Sequence, residues 1–315
     1  SARIALTEAG AKLMNVDAKN CVAKNSTIHS NDGKSITYKE ILSQTTIDRT
    51  FSEDEMKAIK LKSFGEYNVV GKSKLPFDLP AKLDGSAKYG SDVFVPDMVY
   101  AIPVLNPVRW GAIPNSVDET DAKKIDGYVG AYVEKNGFAK INTGYVVALG
   151  ETIWAAMNAA KALKIDWDLG ENKNISSKDI RDESIRLQKD PDSGFLWVLE
   201  GDTDNAMKNV QNKHTAIYET EIAYHGCMEP MNAVAMESGG VWHLFCGSQF
   251  QGRFTAMTAA ALGVDAANVV LHQCYSGTGF GRRLEPDNVI IAAMAAQQVG
   301  RPVKLIYTRE IDLGF

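Results

Sequence analysis

Ser276-Gly277-Thr278-Gly279-Phe280-Gly281-Arg282-Arg283 lies between an apolar run, Asn268 to Leu271, and a long apolar stretch, Asn288 to Val299. Alternating glycines let a backbone take positive φ and let another group approach the main chain closely. A helix that starts just after such a turn offers unpaired N–H groups and the positive end of its dipole. Strand, glycine turn and helix start together suit an anion such as a phosphate. The same residues also suit a plain strand-to-helix turn, and spacing alone does not separate the two readings. The spacing does exclude a dinucleotide-binding G-x-G-x-x-G fingerprint.

Outward from this turn, the bulk composition bounds the class. A length of 315 residues allows about two or three domains. With 45% hydrophobic and 23% charged residues, the chain has the composition of an ordinary globular protein. A net charge of −5 and no dense Lys/Arg block argue against a nucleic-acid partner. No apolar run reaches the roughly 18 residues of a membrane span, and no export signal opens the chain. Cys21, Cys227, Cys246 and Cys274 form no C-x-x-C pair, which argues against an iron–sulfur cluster or zinc knuckle held by this chain alone.

Periodicity predicts an α+β protein. A helix is expected over 3–14, short strands at 21–24 and 27–29, a hairpin turn at Asn31-Asp32-Gly33, and a helix from Thr37 with Glu40 at capping-box spacing. Residues 45–75 read as an extended connection. Strands are expected at 93–95, 99–102, 127–133, 144–149 and 165–167, with a helix over 152–163. A polar link over 171–213 contains one exposed helix near 178–188 and a turn at 190–194. Strands follow at 215–224, 234–236, 241–246, 268–271 and 303–307, with helices over 254–262, ending at Gly263, and 289–299. The expected divisions are 1–75, 76–170, 171–213 and 214–315. A sheet that ends on a fresh strand near Phe315 reads as part of a longer polypeptide.

Four motifs then carry a resemblance. Pro80 to Val93, followed by Pro96-Asp97-Met98-Val99-Tyr100-Ala101, resembles the opening of the α/β hammerhead domain of the xanthine oxidase family of molybdenum hydroxylases. Val146 to Ala156 is similar to the closing strand and helix of that domain. His225-Gly226-Cys227-Met228-Glu229-Pro230-Met231-Asn232 resembles the start of the molybdopterin-binding domain. Gly247-Ser248-Gln249 and Gly277 to Arg283 resemble its first cofactor-contacting segments. The Met-Glu-Pro-Met-Asn and Gly-Phe-Gly-Arg-Arg versions, with the preface at 3–42, resemble the isoquinoline 1-oxidoreductase β-subunit branch, which includes large subunits of membrane-linked aldehyde dehydrogenases.

The resemblance implies a hammerhead domain over 76–170 and the first part of a molybdopterin-binding domain over 214–315, with 1–75 belonging to the larger cofactor domain. It implies an oxidoreductase that hydroxylates an N-heterocycle or oxidises an aldehyde with water-derived oxygen. Its cofactor would be molybdopterin cytosine dinucleotide with molybdenum, shared with the remainder of the large subunit. Electrons would pass to a [2Fe–2S] small subunit and, in this branch, often to a cytochrome c subunit, in the periplasm. Gln249 would donate to the oxo ligand, and Phe280 would form a wall of the substrate pocket. Gly277, Thr278, Gly279, Phe280 and Gly281 would bind the cofactor through their backbone. Arg282 and Arg283 would pair with its pyrophosphate, or alternatively cap the turn or pair with Glu285 and Asp287. His225 and Glu229 read more readily as structural. Two departures stand out. Thr278 replaces the middle glycine of the family's Gly-Gly-Gly-Phe-Gly, and the family's catalytic glutamate would lie beyond Phe315. The competing expectation is a non-catalytic structural or assembly subunit that keeps half of the cofactor cage.

Overall fold

The computed structural model describes residues 1–314 except 68, 105, 136, 138–142, 191 and 222. The chain divides into two compact units, Ser1–Phe77 and Asp78–Phe315.

In the first unit, helix α1 (Ala2–Met14) packs on a three-stranded antiparallel sheet of β1 (Cys21–Lys24), β2 (Thr27–Ser30) and β3 (Ser35–Thr37). Helix α2 (Tyr38–Gln44) starts at the expected capping box: Thr37 Oγ1 accepts from Glu40 N, and Glu40 accepts from Thr37 N at 2.8 Å. Ile28 and Ile41 are fully buried and anchor this unit. The region expected to be a bare connection contains a second boxed helix, α3 (Glu53–Ala58), capped by Ser52 and Glu55. The apolar periodicity there is too weak to announce it, and the cap is its one sequence signal.

The second unit opens with α4 (Leu79–Asp84) and is built on β4 (Val99–Val104), β5 (Ile113–Asp118), β6 (Tyr128–Glu134) and β7 (Tyr145–Gly150). Helix α5 (Ile153–Ala162) and β8 (Lys164–Asp168) follow. Two exposed helices, α6 (Ser177–Gln188) and α7 (Thr203–Asn209), precede β9 (Asn232–Ser238) and β10 (Val241–Cys246). The chain continues through α8 (Gln251–Leu262), β11 (Val269–Gln273), α9 (Asp287–Val299), β12 (Val303–Ile306) and α10 (Arg309–Gly314).

Seven strands form one sheet in the order β11-β10-β9-β12-β4-β7-β6. β12 lies parallel to β4, with Val303 opposite Val99 and Leu305 opposite Ala101. One sheet therefore crosses the two segments that the motifs separate, 76–170 and 214–315. The core lies where α9 packs on this sheet. Val289, Ile290, Ile291, Ala292 and Ala293 are at most 1% exposed, so this part of α9 is apolar all round because it is enclosed all round. Burying each large aliphatic side chain there contributes about 1.5–3 kcal/mol.

Several expected elements differ. Residues 93–95 form no strand; Phe94 is 72% exposed and follows a helical turn at Gly90–Asp92. β5 was not expected, because Pro114 interrupts its pattern; the strand absorbs the proline with a register shift between Pro114 and Ser116 against β8. Residues 215–224 alternate as a strand should, yet among the described residues they pair with no strand, and Ile217 and Tyr218 stand 82% and 89% exposed. Alternation prepares two faces but supplies no partner edge. Residue 222 of that run and Pro191 of the turn at 190–194 lie outside the described residues. Helix α10 follows β12 where the sheet was expected to end.

The α5 start supplies a simple test of the local rules. Thr152 Oγ1 accepts from Ala155 N at 3.1 Å. Thr152→Ala is expected to lower stability by about 1 kcal/mol, read as a lower denaturant midpoint with an unchanged m-value.

Candidate cofactor-binding site

β10 ends at Gly247-Ser248-Gln249 and β11 ends at the glycine turn, side by side because the two strands are parallel. A Cβ on Gly247 would stand 2.5 Å from Ser276 Oγ and 3.1 Å from Ser276 Cα, so the segments touch only because this position carries no side chain. The turn itself is left-handed at Thr278 (φ 68°), Phe280 (φ 51°) and Gly281 (φ 97°). For the two residues with a Cβ this conformation costs about 1 kcal/mol or more each.

That cost is offset by a zipper between the turn and residues 227–229. Glu229 N donates to Gly277 O at 3.0 Å, Met228 N to Thr278 Oγ1 at 3.0 Å, and Cys227 Sγ to Gly279 O at 3.3 Å. Burial pushes the Cys227 thiol pKa up, so it remains a protonated donor. The hydroxyl that distinguishes Thr278 from the family's glycine is therefore part of the zipper.

Glu229 is the hub. Its Oε2 accepts from Gly277 N at 2.9 Å and from Arg283 Nη2 at 2.9 Å; its Oε1 accepts from Ser91 N at 3.1 Å and Asn232 Nδ2 at 3.0 Å. One carboxylate thus joins three separate segments. Lys304, 7% exposed on β12, donates to Ser91 O at 2.6 Å and Val93 O at 2.9 Å, and so holds the third segment in place. A cleft of about 430 Å³ opens among Tyr89, Ser91, Met228, Glu229, Asn232 and Ile306. Sequence reading took Glu229 as structural and passed over Cys227 and Lys304. The one available signal for Lys304 was a lysine inside the apolar run 303–307.

Gln249 is exposed beside the turn. Its Oε1 accepts from Gly281 N and Arg283 N, both at 3.2 Å, and its Nε2 has no partner among the described residues. Gln251 Nε2, by contrast, donates to Gln273 Oε1 and Ser248 O. Gly281 N is therefore occupied, whereas the N–H groups of Gly279 and Phe280 have no acceptor among the described residues. Successive N–H groups in a chain that alternates the sign of φ form a concave donor nest for an anion. The Phe280 ring projects 69% exposed next to it. His225 is exposed, and its Nε2 lies 3.8 Å from where a Cβ on Gly281 would sit.

Arg282 and Arg283 correct an expectation. They do not face outward to a pyrophosphate, being 3% and 0% exposed. Arg282 makes two bonds to Asp287, at 2.7 and 2.8 Å, and Tyr307 OH donates to the same carboxylate at 2.7 Å. Burial opposes the charge of Arg282, but Asp287 outweighs it and raises the pKa. Arg283 donates through Nε to Thr278 O at 2.7 Å and through Nη2 to Glu229 O at 2.8 Å. Both arginines brace the turn from beneath, and Glu285 pairs with Arg253 instead.

Residues 188–314 match the family model described as the molybdopterin cofactor-binding domain. This bears out the resemblance read from the motifs. The chain is 35% identical over 315 residues to the membrane-bound aldehyde dehydrogenase [pyrroloquinoline-quinone] of Gluconacetobacter polyoxogenes, across 99% of this chain and 40% of that protein. It is 28% identical to the isoquinoline 1-oxidoreductase subunit beta of Brevundimonas diminuta, across 81% of this chain and 33% of that subunit. The chain thus spans about 40% or less of the length of these relatives. Among solved structures, the fold is shared with the aldehyde oxidoreductase from Desulfovibrio gigas, at a TM-score of 0.60 and 17% identity over 75% of this chain and 30% of that one. It is shared also with quinoline 2-oxidoreductase from Pseudomonas putida 86, at a TM-score of 0.56 and 16% identity over 77% of this chain and 35% of that one. The α+β architecture is therefore the fold of these two oxidoreductases.

Proposed function

We propose that this chain forms one part of the molybdenum-cofactor site of an oxidoreductase that oxidises an aldehyde or hydroxylates an N-heterocycle. The observation that carries this reading is the conjunction of two free N–H groups, at Gly279 and Phe280, with the free amide donor of Gln249 and the exposed ring of Phe280. The residues fit the group. The nest suits the anionic oxygens of a molybdopterin cofactor, and a Cβ on Gly279, only 2.4 Å from Gln249 Oε1, would close it. When bound, the cofactor would supply the redox chemistry, with oxygen drawn from water.

In this reading the chain's own residues orient and bind. Gly279 and Phe280 hold the cofactor through the main chain, while the backbones of Gly277 and Gly281 and the side chains of Thr278, Arg282 and Arg283 act from behind, by shaping the turn. Gln249 donates a hydrogen bond without adding charge, and Phe280 offers an apolar face to a planar substrate. The division into a hammerhead segment (76–170) and a cofactor-binding segment (214–315) belongs to this proposal. So do the cytosine dinucleotide form of the cofactor, a [2Fe–2S] partner, a cytochrome c partner and a periplasmic site of action. The relative named membrane-bound suggests an assembly attached to a membrane. No helix among the described residues is long and apolar enough to cross one.

The test uses the full-length polypeptide with its co-expressed partners. Molybdenum content, nucleotide released by acid, and transfer of ¹⁸O from water to the product of an aromatic aldehyde or N-heterocycle are measured together. Molybdenum, a cytosine nucleotide and labelled product are expected. The name of the aldehyde dehydrogenase relative favours a second reading, in which the redox group is pyrroloquinoline quinone; a quinone in the acid extract without molybdenum would establish it. Folded, assembled protein with neither group would instead support a non-catalytic assembly subunit.

Gln249→Glu separates the two jobs of this side chain. Glutamate keeps an oxygen for the Gly281 and Arg283 N–H groups but removes the outward donor. The expected result is an unchanged melting temperature and a kcat lower by about 100-fold or more, the usual effect of deleting one donor at a developing charge. A fall in stability with kcat preserved would remove Gln249 from the reacting centre.

A further inference from the structure

His243 and His272 form a side-chain cluster that the cofactor reading does not use. Trp242, Leu244 and Cys246 face the core from β10, so His243 and Phe245 face the opposite side of the sheet. β11 runs parallel at the sheet edge, with Val270 opposite His243 and His272 opposite Phe245. The two histidines are therefore diagonal neighbours on one face. His243 Nδ1 lies 3.0 Å from His272 Nε2. Phe245 stacks on the His272 ring at 4.4 Å with 13° between planes, and the imidazole rings themselves are 26° from parallel. His272 is exposed and His243 half-exposed, so solvent reaches the pair.

We propose that His243 and His272 form a two-histidine binding site for a borderline divalent metal ion, Cu²⁺ or Zn²⁺, that clips the edge strand β11 to β10. Metal–nitrogen bonds of about 2.0–2.1 Å put two ligating nitrogens about 2.9 Å apart at a right angle and about 3.3 Å apart at a tetrahedral one. The observed separation falls within that range. Imidazole suits these ions, and the general order of affinities places Cu²⁺ first. The ion binds through ring nitrogens that carry no proton, and the two facing nitrogens already stand one ligand-to-ligand span apart. A proton on either facing nitrogen would shift to the far nitrogen of the same ring when the ion binds. Phe245 holds the second ring in place, so less rotamer freedom is lost on binding. No third His, Cys, Asp or Glu completes the cluster among the described residues, so water would fill the remaining positions.

The clip has a consequence for the neighbouring site. Four residues beyond His272 the chain enters the glycine turn at Ser276, and three beyond Cys246 it reaches Gln249. Joining the strands holds both segments from one side.

The test takes the full-length polypeptide, stripped with chelator, and titrates it with Cu²⁺ at neutral pH. Expected are one bound ion per chain, nitrogen hyperfine structure in its electron paramagnetic resonance spectrum, and loss of that species in both His243→Ala and His272→Ala. Added Zn²⁺ should raise the melting temperature of the parent protein and leave both variants unmoved. Should a variant fail to fold, imidazole ¹⁵N shifts of the parent protein under Zn²⁺ still decide, since only these two rings should move. Copper binding that survives both substitutions, or imidazole shifts elsewhere, would overturn the site. Neither outcome depends on molybdenum or on turnover, so failure here leaves the cofactor reading intact.

Discussion

Arg283→Ala is expected to cost the fold about 3–5 kcal/mol, the usual penalty for breaking a buried ion pair by removing one partner. Arg283 is 0% exposed, and its partner Glu229 has a side chain only 9% exposed. Removing the guanidinium takes away the Glu229 bonds at 2.8 and 2.9 Å and the bond to Thr278 O at 2.7 Å. The Glu229 carboxylate keeps its bonds from Gly277 N, Ser91 N and Asn232 Nδ2 but loses its paired cation. The loss should appear as a large drop in the denaturant midpoint. Glu229→Gln with Arg283→Met, which removes both charges and keeps volume, should stand closer to the parent protein than Arg283→Ala does. If the single variant unfolds at the parental midpoint, the pair contributes nothing and the zipper is held by its backbone bonds alone.

Gly277→Ala is expected to open the turn. The new Cβ would stand 2.4 Å from Glu229 Cβ and 3.1 Å from Glu229 N. Backbone and Cβ atoms cannot swing away as the end of a long side chain can, so the 227–229 segment must separate from the turn. The bond from Glu229 N to Gly277 O, at 3.0 Å, is the first lost. Overpacking of this kind costs about 1–3 kcal/mol, and misplacement of the Gly279 and Phe280 N–H groups should empty the cofactor site as well. The measurement is cofactor content per folded chain, with Gly252→Ala as the control. Gly252 lies in α8 with nothing within 4 Å of its Cβ position, so that substitution should be neutral or slightly stabilising. Full cofactor content in Gly277→Ala would mean that the turn does not depend on this close approach.

Legibility from sequence followed the range of the interactions. Capping boxes, the αL glycine that ends α8, and the apolar middle of α9 come from residues a few positions apart, so their signals are local. The motifs around Glu229, Gln249 and Gly277 to Arg283 likewise announced a cofactor-binding segment, which the match over 188–314 bears out. Sequence alone also excluded a cluster-binding cysteine motif and a dense basic surface.

Only tertiary structure decided what each site residue does. Arg282 and Arg283 look alike in sequence, but one turns to Asp287 and the other to Glu229, and neither reaches the surface. Glu229 became the hub because 91, 277 and 283 converge on it from distant parts of the chain. Strand alternation at 215–224 could not say whether an edge was available, and β12 joined β4 across 204 residues of sequence, Val99 to Val303. Within one five-residue turn, Glu229 takes the Gly277 N–H and Gln249 the Gly281 N–H, while those of Gly279 and Phe280 have no acceptor among the described residues. Periodicity and capping are properties of neighbours. Burial, charge pairing and donor vacancy are set by which distant segments the fold brings together, and those decide the chemistry here.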